Sequence, residues 1–249
     1  MTDLVLREQR GAAVHLVLNR PDKLNSLNVP LFQALDAHVR DIAAKPAGVA
    51  VVVVRGAGRC FSAGHDLGDI AVGERLPEPN FQSKVIERLA ALPLPVISAV
   101  HGHCYTGALE LALAADIILA AESAKFADTH ARWALTPVWG LSQRLPRRVG
   151  TSKAREMMFT CRTYSGREAE AMGLANACFP DETFLESVDA WVAEIAANSA
   201  FSHAANKRLL DLTDGLPLPA GLAHEVYRGE GVGPDMRERI AAFATRKGG

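Results

Sequence analysis

The segment ALELALAAD, residues 108–116, holds one charged side chain before its terminal aspartate: Glu110. A carboxylate among Ala and Leu is costly to bury unless it is paired or used. Glu110 is therefore an acid/base candidate, set against a plainer reading as a helix-start carboxylate favoured by the macrodipole or held by an arginine. Gly107 stands three positions earlier, at the opening of the same helix. There backbone N–H groups lack intrahelical partners and can turn toward an anion. An acid/base group and an oxyanion donor thus lie within one turn of each other.

Three further groups have chemistry to offer. The loop GAGRCFSAGHDLG, residues 56–68, follows the most apolar strand of the chain and should emerge at its C-terminal edge, where open α/β sheets place ligands. It imitates two familiar signatures and completes neither. Gly56-x-Gly58-x-x-Phe61 lacks the third glycine of a dinucleotide loop, and Cys60-x-Ser62-x-Gly64 lacks the first glycine of a nucleophile elbow. His101-x-His103 followed by Cys104 could be a fragment of a metal site but has no further ligands at readable spacing. His130, in FADTHARW, is a loop histidine that carries little weight by itself.

The elements that position these groups follow from periodicity. Residues 4–8 and 13–19 read as strands joined by a turn at Arg10–Gly11. A helix is expected from about Val29 to Ala44, with Leu31, Leu35, Val39 and Ile42 on its apolar face. VAVVVV, residues 49–54, suits a strand buried on both faces. AVGERLPEPN, residues 71–80, reads as a surface loop before a helix from Phe81 to Leu92. VISAV (96–100) is a strand, the helix at 108–116 follows, and IILAAES is another strand. TSKAREMMFT and SGREAEAMGL read as short helices, the second opened by a Ser165–Glu168 capping box and closed at Gly173. Helices are expected at 183–198, 202–214, 219–228 and 235–246. Strand and helix alternate for about 180 residues and helices follow, an α/β pattern.

With 249 residues, 49% of them hydrophobic, the chain can bury a large core. A net charge of -1 gives no reason to expect nucleic acid or an acidic membrane as a partner. The charged N-terminus MTDLVLREQRG does not read as a secretory signal, and no apolar run is long enough to span a bilayer. Cys60, Cys104, Cys161 and Cys178 form no CxxC pair and read as free thiols of a cytoplasmic protein.

Taken together, LNRPDKLNSLN (18–28), CFSAGHDL (60–67), AVHGHCYTGALELALAAD (99–116), ADTHARWALTP and QRLPRRVG (143–150) resemble the crotonase superfamily, the enoyl-CoA hydratases and isomerases. The resemblance spans nearly the whole chain. It implies an α/β fold with a crotonase-like ββα-spiral core over 1–195 and a helical C-terminal region, 196–249, for trimer contacts. It also implies an acyl-coenzyme A substrate, a homotrimer or a hexamer of two trimers, and no cofactor beyond the coenzyme A of the substrate.

By the same resemblance, the N–H groups of Ala63 and Gly107 would grip the thioester oxygen as charge develops there. Such pre-aimed donors act strongly in a dry pocket. Lys23, Leu24, Ala63, Asp66 and Leu67 match positions that hold coenzyme A, and Phe243 and Arg246 match a segment that reaches a neighbouring subunit's coenzyme. A hydratase of this kind uses two glutamates: one matches Glu110, and the other falls on His130. An imidazole titrating near neutrality can give or take a proton, so Glu110 could activate water while His130 supplies the α-proton. The expected reaction is reversible addition of water to the 2,3 double bond of an enoyl-CoA, as in fatty acid metabolism. Double-bond isomerisation and acyl-CoA binding without turnover remain open. Trp133 and Trp139 could wall the acyl pocket or simply pack in the core.

Overall fold

The computed structural model describes residues 3–46 and 48–246. The strands are β1 (Val5–Arg10), β2 (Ala13–Leu18), β3 (Val51–Gly56), β4 (Val96–Val100), β5 (His103–Tyr105), β6 (Ile117–Ala121), β7 (Lys125–Ala127), β8 (Tyr164–Ser165) and β9 (Ala177–Phe179). The helices are α1 (Val29–Ala44), α2 (Leu67–Val72), α3 (Phe81–Ala90), α4 (Gly107–Ala112), α5 (Leu141–Thr160), α6 (Gly166–Ala171), α7 (Phe184–Ala196), α8 (Ala200–Thr213), α9 (Leu218–Arg228) and α10 (Met236–Arg246).

The larger sheet has the order β1-β2-β3-β4-β6-β9. β1 and β2 form an antiparallel hairpin, and every later pairing is parallel. The period of two along β3 and β4 sorts the core into two layers. Val52, Val54, Val96 and Val100 face the layer that holds α1, α3 and α4. Val51, Val53, Ile97 and Ala99 face Phe184, Val188 and Val192 of α7. Both faces of these strands are covered, which is why they read as unbroken apolar runs.

The smaller sheet, β5-β7-β8, was not legible as strands, since its members are two or three residues long. It stands beside the 60–66 loop, which joins it through the Ser62–Cys104 bridge. The site helix is shorter than its apolar run: α4 ends at Ala112, and the chain turns before Asp116, whose carboxylate accepts from the Val96 amide at 2.7 Å. The helix expected from Thr151 begins earlier, at Leu141, and is bent at Gly150 (φ 77°, ψ 156°). The Ser165–Glu168 capping box is present. No helix among the described residues is long and apolar enough to cross a membrane.

His15, on β2, is 1% exposed, and neither ring nitrogen has a hydrogen-bond partner among the described residues. Burial, with Arg10 and Arg55 adding to it, pushes its pKa down to about 4, although Asp189 lies 3.9 Å away. The folded state therefore binds this proton less readily than the unfolded chain. Stability from this group is whole above the unfolded pKa near 6.5 and is lost as pH falls toward 4. His15→Leu should remove about 2 kcal/mol of the stability loss between pH 7 and pH 5, compared with the parent in urea unfolding.

Candidate active site

Glu110 is 1% exposed and lies in the wall of a cavity of about 430 Å³. Its Oε1 accepts from the backbone amides of Trp139 (2.8 Å) and Leu141 (3.1 Å). Its Oε2 faces His130 Nε2 across 3.8 Å. Burial raises the Glu110 pKa above its ordinary value; the Leu141 and Trp139 amides and His130 oppose the rise, and Asp128 adds to it. The carboxylate is therefore fixed by one oxygen and has the other turned to the cavity.

His130 opens a short 3-10 turn that follows β7 and is 7% exposed. Its Nδ1 lies 2.6 Å from Asp128 Oδ1, which also accepts from the His130 backbone amide at 3.1 Å. Asp128 is itself 1% exposed. With Nδ1 donating to that carboxylate, Nε2 is the nitrogen that faces Glu110. The spacing Asp128-x-His130 is short enough to have been noticed in the sequence, but nothing in a loop dipeptide says that both side chains turn inward.

The 60–66 segment is zipped between two neighbours. Ser62 N donates to His103 O (2.8 Å) on one side, and on the other Leu27 N donates to Gly64 O (2.8 Å). Asn25 ties the loops together by donating to the carbonyls of Ala57 and Cys60, both at 2.8 Å. This zipper corrects one expectation. Ala63 lines the cavity, but its N–H donates to Leu24 O at 2.9 Å and is not available to a ligand. The next two amides show why: Gly64 N donates to Ser62 Oγ at 3.1 Å, while His65 N has no partner among the described residues. His65 N lies 3.3 Å from where a Cβ on Gly107 would be. The paired donors at this cavity are therefore the amides of His65 and Gly107.

Two glycines make that approach possible. Gly64 has φ +102°, and a Cβ there would fall 2.5 Å from Tyr105 O. A Cβ on Gly107 would fall 2.5 Å from the Trp139 ring. Before Gly107, Thr106 holds φ 53° and ψ −108°, a conformation costly for a β-branched residue. It is locked by Thr106 N donating to Ala127 O (2.8 Å) and by Thr129 N donating to Thr106 Oγ1 (3.1 Å). That turn leaves the Gly107 amide at the cavity.

The other expected contacts divide. Lys23 is exposed at the end of a 3-10 turn, and Leu24 follows it with φ 53°. The Leu24–Ala63 hydrogen bond brings both beside the second loop. Asp66 caps α2 and accepts from Arg20 (3.2 Å) and Ser26 (3.0 Å). Burial opposes it, yet Ser26 and Arg20 hold the Asp66 carboxyl below its ordinary value. Leu67 lines the cavity, as do Trp133 and Trp139, the former 54% exposed and the latter 3%. Phe243 lies on α10 and does not line the cavity, and the Arg246 side chain lies outside the described residues. His101 and His103 do not line it either: their ring nitrogens contact Gly58 O (2.9 Å) and the Tyr105 hydroxyl (3.0 Å).

Known proteins resemble this chain in sequence and in fold. A family model described as enoyl-CoA hydratase/isomerase matches residues 8–232. A probable enoyl-CoA hydratase of Rhodobacter capsulatus is 34% identical over 243 residues, covering 95% of this chain and 93% of that protein. A 1,2-epoxyphenylacetyl-CoA isomerase of Escherichia coli is 29% identical over 256 residues, covering 99% and 97%. The crystal structure of an enoyl-CoA hydratase from Bacillus anthracis superposes with a TM-score of 0.89 at 31% identity, covering 98% of this chain and 96% of that one.

The raised Glu110 pKa has a consequence for stability. The folded state holds this proton more tightly than the unfolded chain, so ionised Glu110 costs stability once pH rises above the unfolded value of 4.5. Glu110→Gln keeps an acceptor for the two amides and removes the charge. It should melt at a higher temperature than the parent at pH 8, with the gap shrinking toward pH 4 in scanning calorimetry.

Proposed function

The chain belongs to the enoyl-CoA hydratase/isomerase family, and within it we propose that this protein is a hydratase, adding water reversibly across the 2,3 double bond of an enoyl-CoA. The observation that carries the reading is the Glu110 carboxylate. One oxygen is anchored by two amides, and the other is free at a cavity that also presents the unpaired amides of His65 and Gly107.

In this mechanism the thioester oxygen sits between the His65 and Gly107 amides. Glu110 Oε2 takes a proton from water as the water oxygen bonds to the β-carbon. Negative charge moves to the thioester oxygen, where one aimed donor is worth about 3 kcal/mol. Protonated His130 gives its Nε2 proton to the α-carbon. Glu110 then holds a proton that His130 lacks; 3.8 Å is beyond hydrogen-bond reach, so the proton returns through a water between them or once the two side chains close that gap. Asp128 keeps the imidazole turned so that Nε2 does this work.

Coenzyme A enters as part of the substrate, and water addition, being redox-neutral, calls on no other cofactor. Lys23, Leu24, Asp66 and Leu67 form the loop cluster proposed to carry the nucleotide end. The apolar residues left on the C-terminal helices, among them Leu210, Leu218, Val226 and Ile240 at 60–74% exposed, are proposed to pack against other copies in a trimer or a pair of trimers. Phe243 and Arg246 would then reach a neighbour's coenzyme.

Double-bond isomerisation is the second reading. It is favoured by an imidazole where a hydratase of this family is expected to have its second carboxylate, and by the likeness to the crystal structure of a monofunctional enoyl CoA isomerase from M. smegmatis, 33% identical over 89% of this chain with a TM-score of 0.76. Turnover of crotonyl-CoA in oxygen-18 water decides between them. Hydration puts label into a 3-hydroxyacyl product, whereas an isomerase acting on a 3-enoyl-CoA takes up solvent hydrogen only. Glu110→Gln should lower kcat by about 10³-fold and His130→Ala by about 10²-fold, the range of general acid–base catalysis. Unchanged rates in His130→Ala would remove that residue from the mechanism. Light scattering on a sizing column should give three or six times the 26.7 kDa chain mass, and a monomer would refute the assembly.

A further inference from the structure

The cavity has a second imidazole–carboxylate pair that the mechanism above does not use. The His65 amide serves as an oxyanion donor, but its side chain and that of Glu74 also line the cavity. His65 Nε2 lies 2.8 Å from Glu74 Oε2. The same oxygen accepts from Gln82 Nε2 at 2.9 Å, and Gln82, on α3, is 3% exposed. The Glu74 side chain is 11% exposed, and its Oε1 has no hydrogen-bond partner among the described residues. The His65 ring lies against Trp139, with centroids 4.6 Å apart and planes at 39°.

The same cavity is lined by the apolar side chains of Leu67, Ile70, Leu135 and Val138, with Thr106, Thr129 and Thr136 also in its wall. A plain alkyl chain would gain nothing from a desolvated Glu–His pair set into such a wall, and apolar residues of similar size would pack there at less cost. The pair makes sense if the ligand carries something polar. Glu74 Oε2 stands 2.8 Å from Nε2 but off the line of a hydrogen bond, and its charge still favours a proton on that nitrogen, which leaves Nδ1 as an acceptor. Among the described residues Nδ1 has no hydrogen-bond partner, and unlike Nε2 it is not closed off from solvent. At His130, too, one ring nitrogen stands beside a carboxylate and the other is presented, although there Nδ1 makes a directed hydrogen bond to Asp128. An acceptor in a mainly apolar cavity calls for a hydroxyl donor.

We propose that His65, held by Glu74 and Gln82, recognises a hydroxyl group on the acyl chain beyond the reacting carbons, so that the preferred substrates are hydroxylated acyl thioesters rather than plain fatty acyl ones. The proposal rests on the reading of the cavity as an acyl-thioester site, and its test needs no turnover.

Calorimetric titration of the whole protein compares saturated hexanoyl-CoA with its 4-, 5- and 6-hydroxy derivatives. At least one hydroxylated isomer should bind about tenfold more tightly than hexanoyl-CoA, the worth of one good buried hydrogen bond. His65→Phe, which keeps the backbone amide, should bring that ratio to one or below. Glu74→Gln should reduce it, and decides the matter if the first variant fails to fold. The proposal is overturned if no isomer outcompetes hexanoyl-CoA, or if the preference survives both substitutions. If no thioester binds at all, the acyl-CoA reading itself is refuted, a separate outcome from equal binding of all four.

Discussion

A carboxylate that is 1% exposed cannot persist in an apolar helix without donors, and this protein supplies two from a different part of the chain. Hydrogen bonds to a charged acceptor are worth about 1.5–3 kcal/mol each, enough to offset much of what burial costs Glu110. The dependence runs outward from there. The Trp139 and Leu141 amides come from the approach to α5, so the segment between β7 and α5 must cross the mouth of the cavity to deliver them. Trp139 is held from its other side as well, since Arg144 donates to its carbonyl at 3.1 Å and reaches Glu87 on α3 at 2.8 Å. Because Oε1 is consumed by this anchoring, only Oε2 can work, and its place relative to His130 is set by backbone rather than by a mobile side chain.

The sequence was most informative where a physical pattern is long. The apolar runs at 49–54 and 96–100, the amphipathic face of α1 and the capping box at Ser165 all appear as expected, because each follows from repeated burial or from a local hydrogen bond. Glu110 stood out for the same reason, as one charge among apolar neighbours. The three strands of the small sheet did not stand out, since a run of two or three residues has no period to detect. Glu74 and Gln82 were unreadable too. They sit in and after a Gly/Pro-rich loop, and their convergence on His65 depends on how α2 and α3 pack.

The displaced oxyanion donor shows a finer limit. Composition and spacing located the right loop, but the direction of each amide depends on which neighbour takes the preceding ones. In the zipped segment Ser62 gives its N–H toward β5, Ala63 gives its own toward Leu24, and Gly64 closes onto the Ser62 hydroxyl. His65 is the first residue past these engagements, and Asp66 is again bonded, to Leu27 O at 2.9 Å. Between Ser62 and Asp66 the His65 amide alone is left without a partner among the described residues. A backbone ladder on both sides thus does what a conserved side chain does elsewhere: it selects a single donor and holds it aimed.

That selection brings a side chain with it. A residue whose amide must face the cavity has its Cα at the cavity wall, so its side chain becomes part of the pocket whether or not chemistry requires it. Alanine or glycine at position 65 would leave space for an acyl chain. A histidine there, lying against Trp139 and beside a carboxylate that Gln82 holds, takes up that space with a polar ring. Catalysis and selectivity are then coupled through one residue. On the proposed reading, the main chain of residue 65 stabilises charge on the thioester oxygen, a feature shared by every substrate, while its imidazole meets the part of the acyl group that differs between substrates. Substitutions at this position can change the second without losing the first, and that gives such a scaffold room to alter its substrates while keeping its reaction.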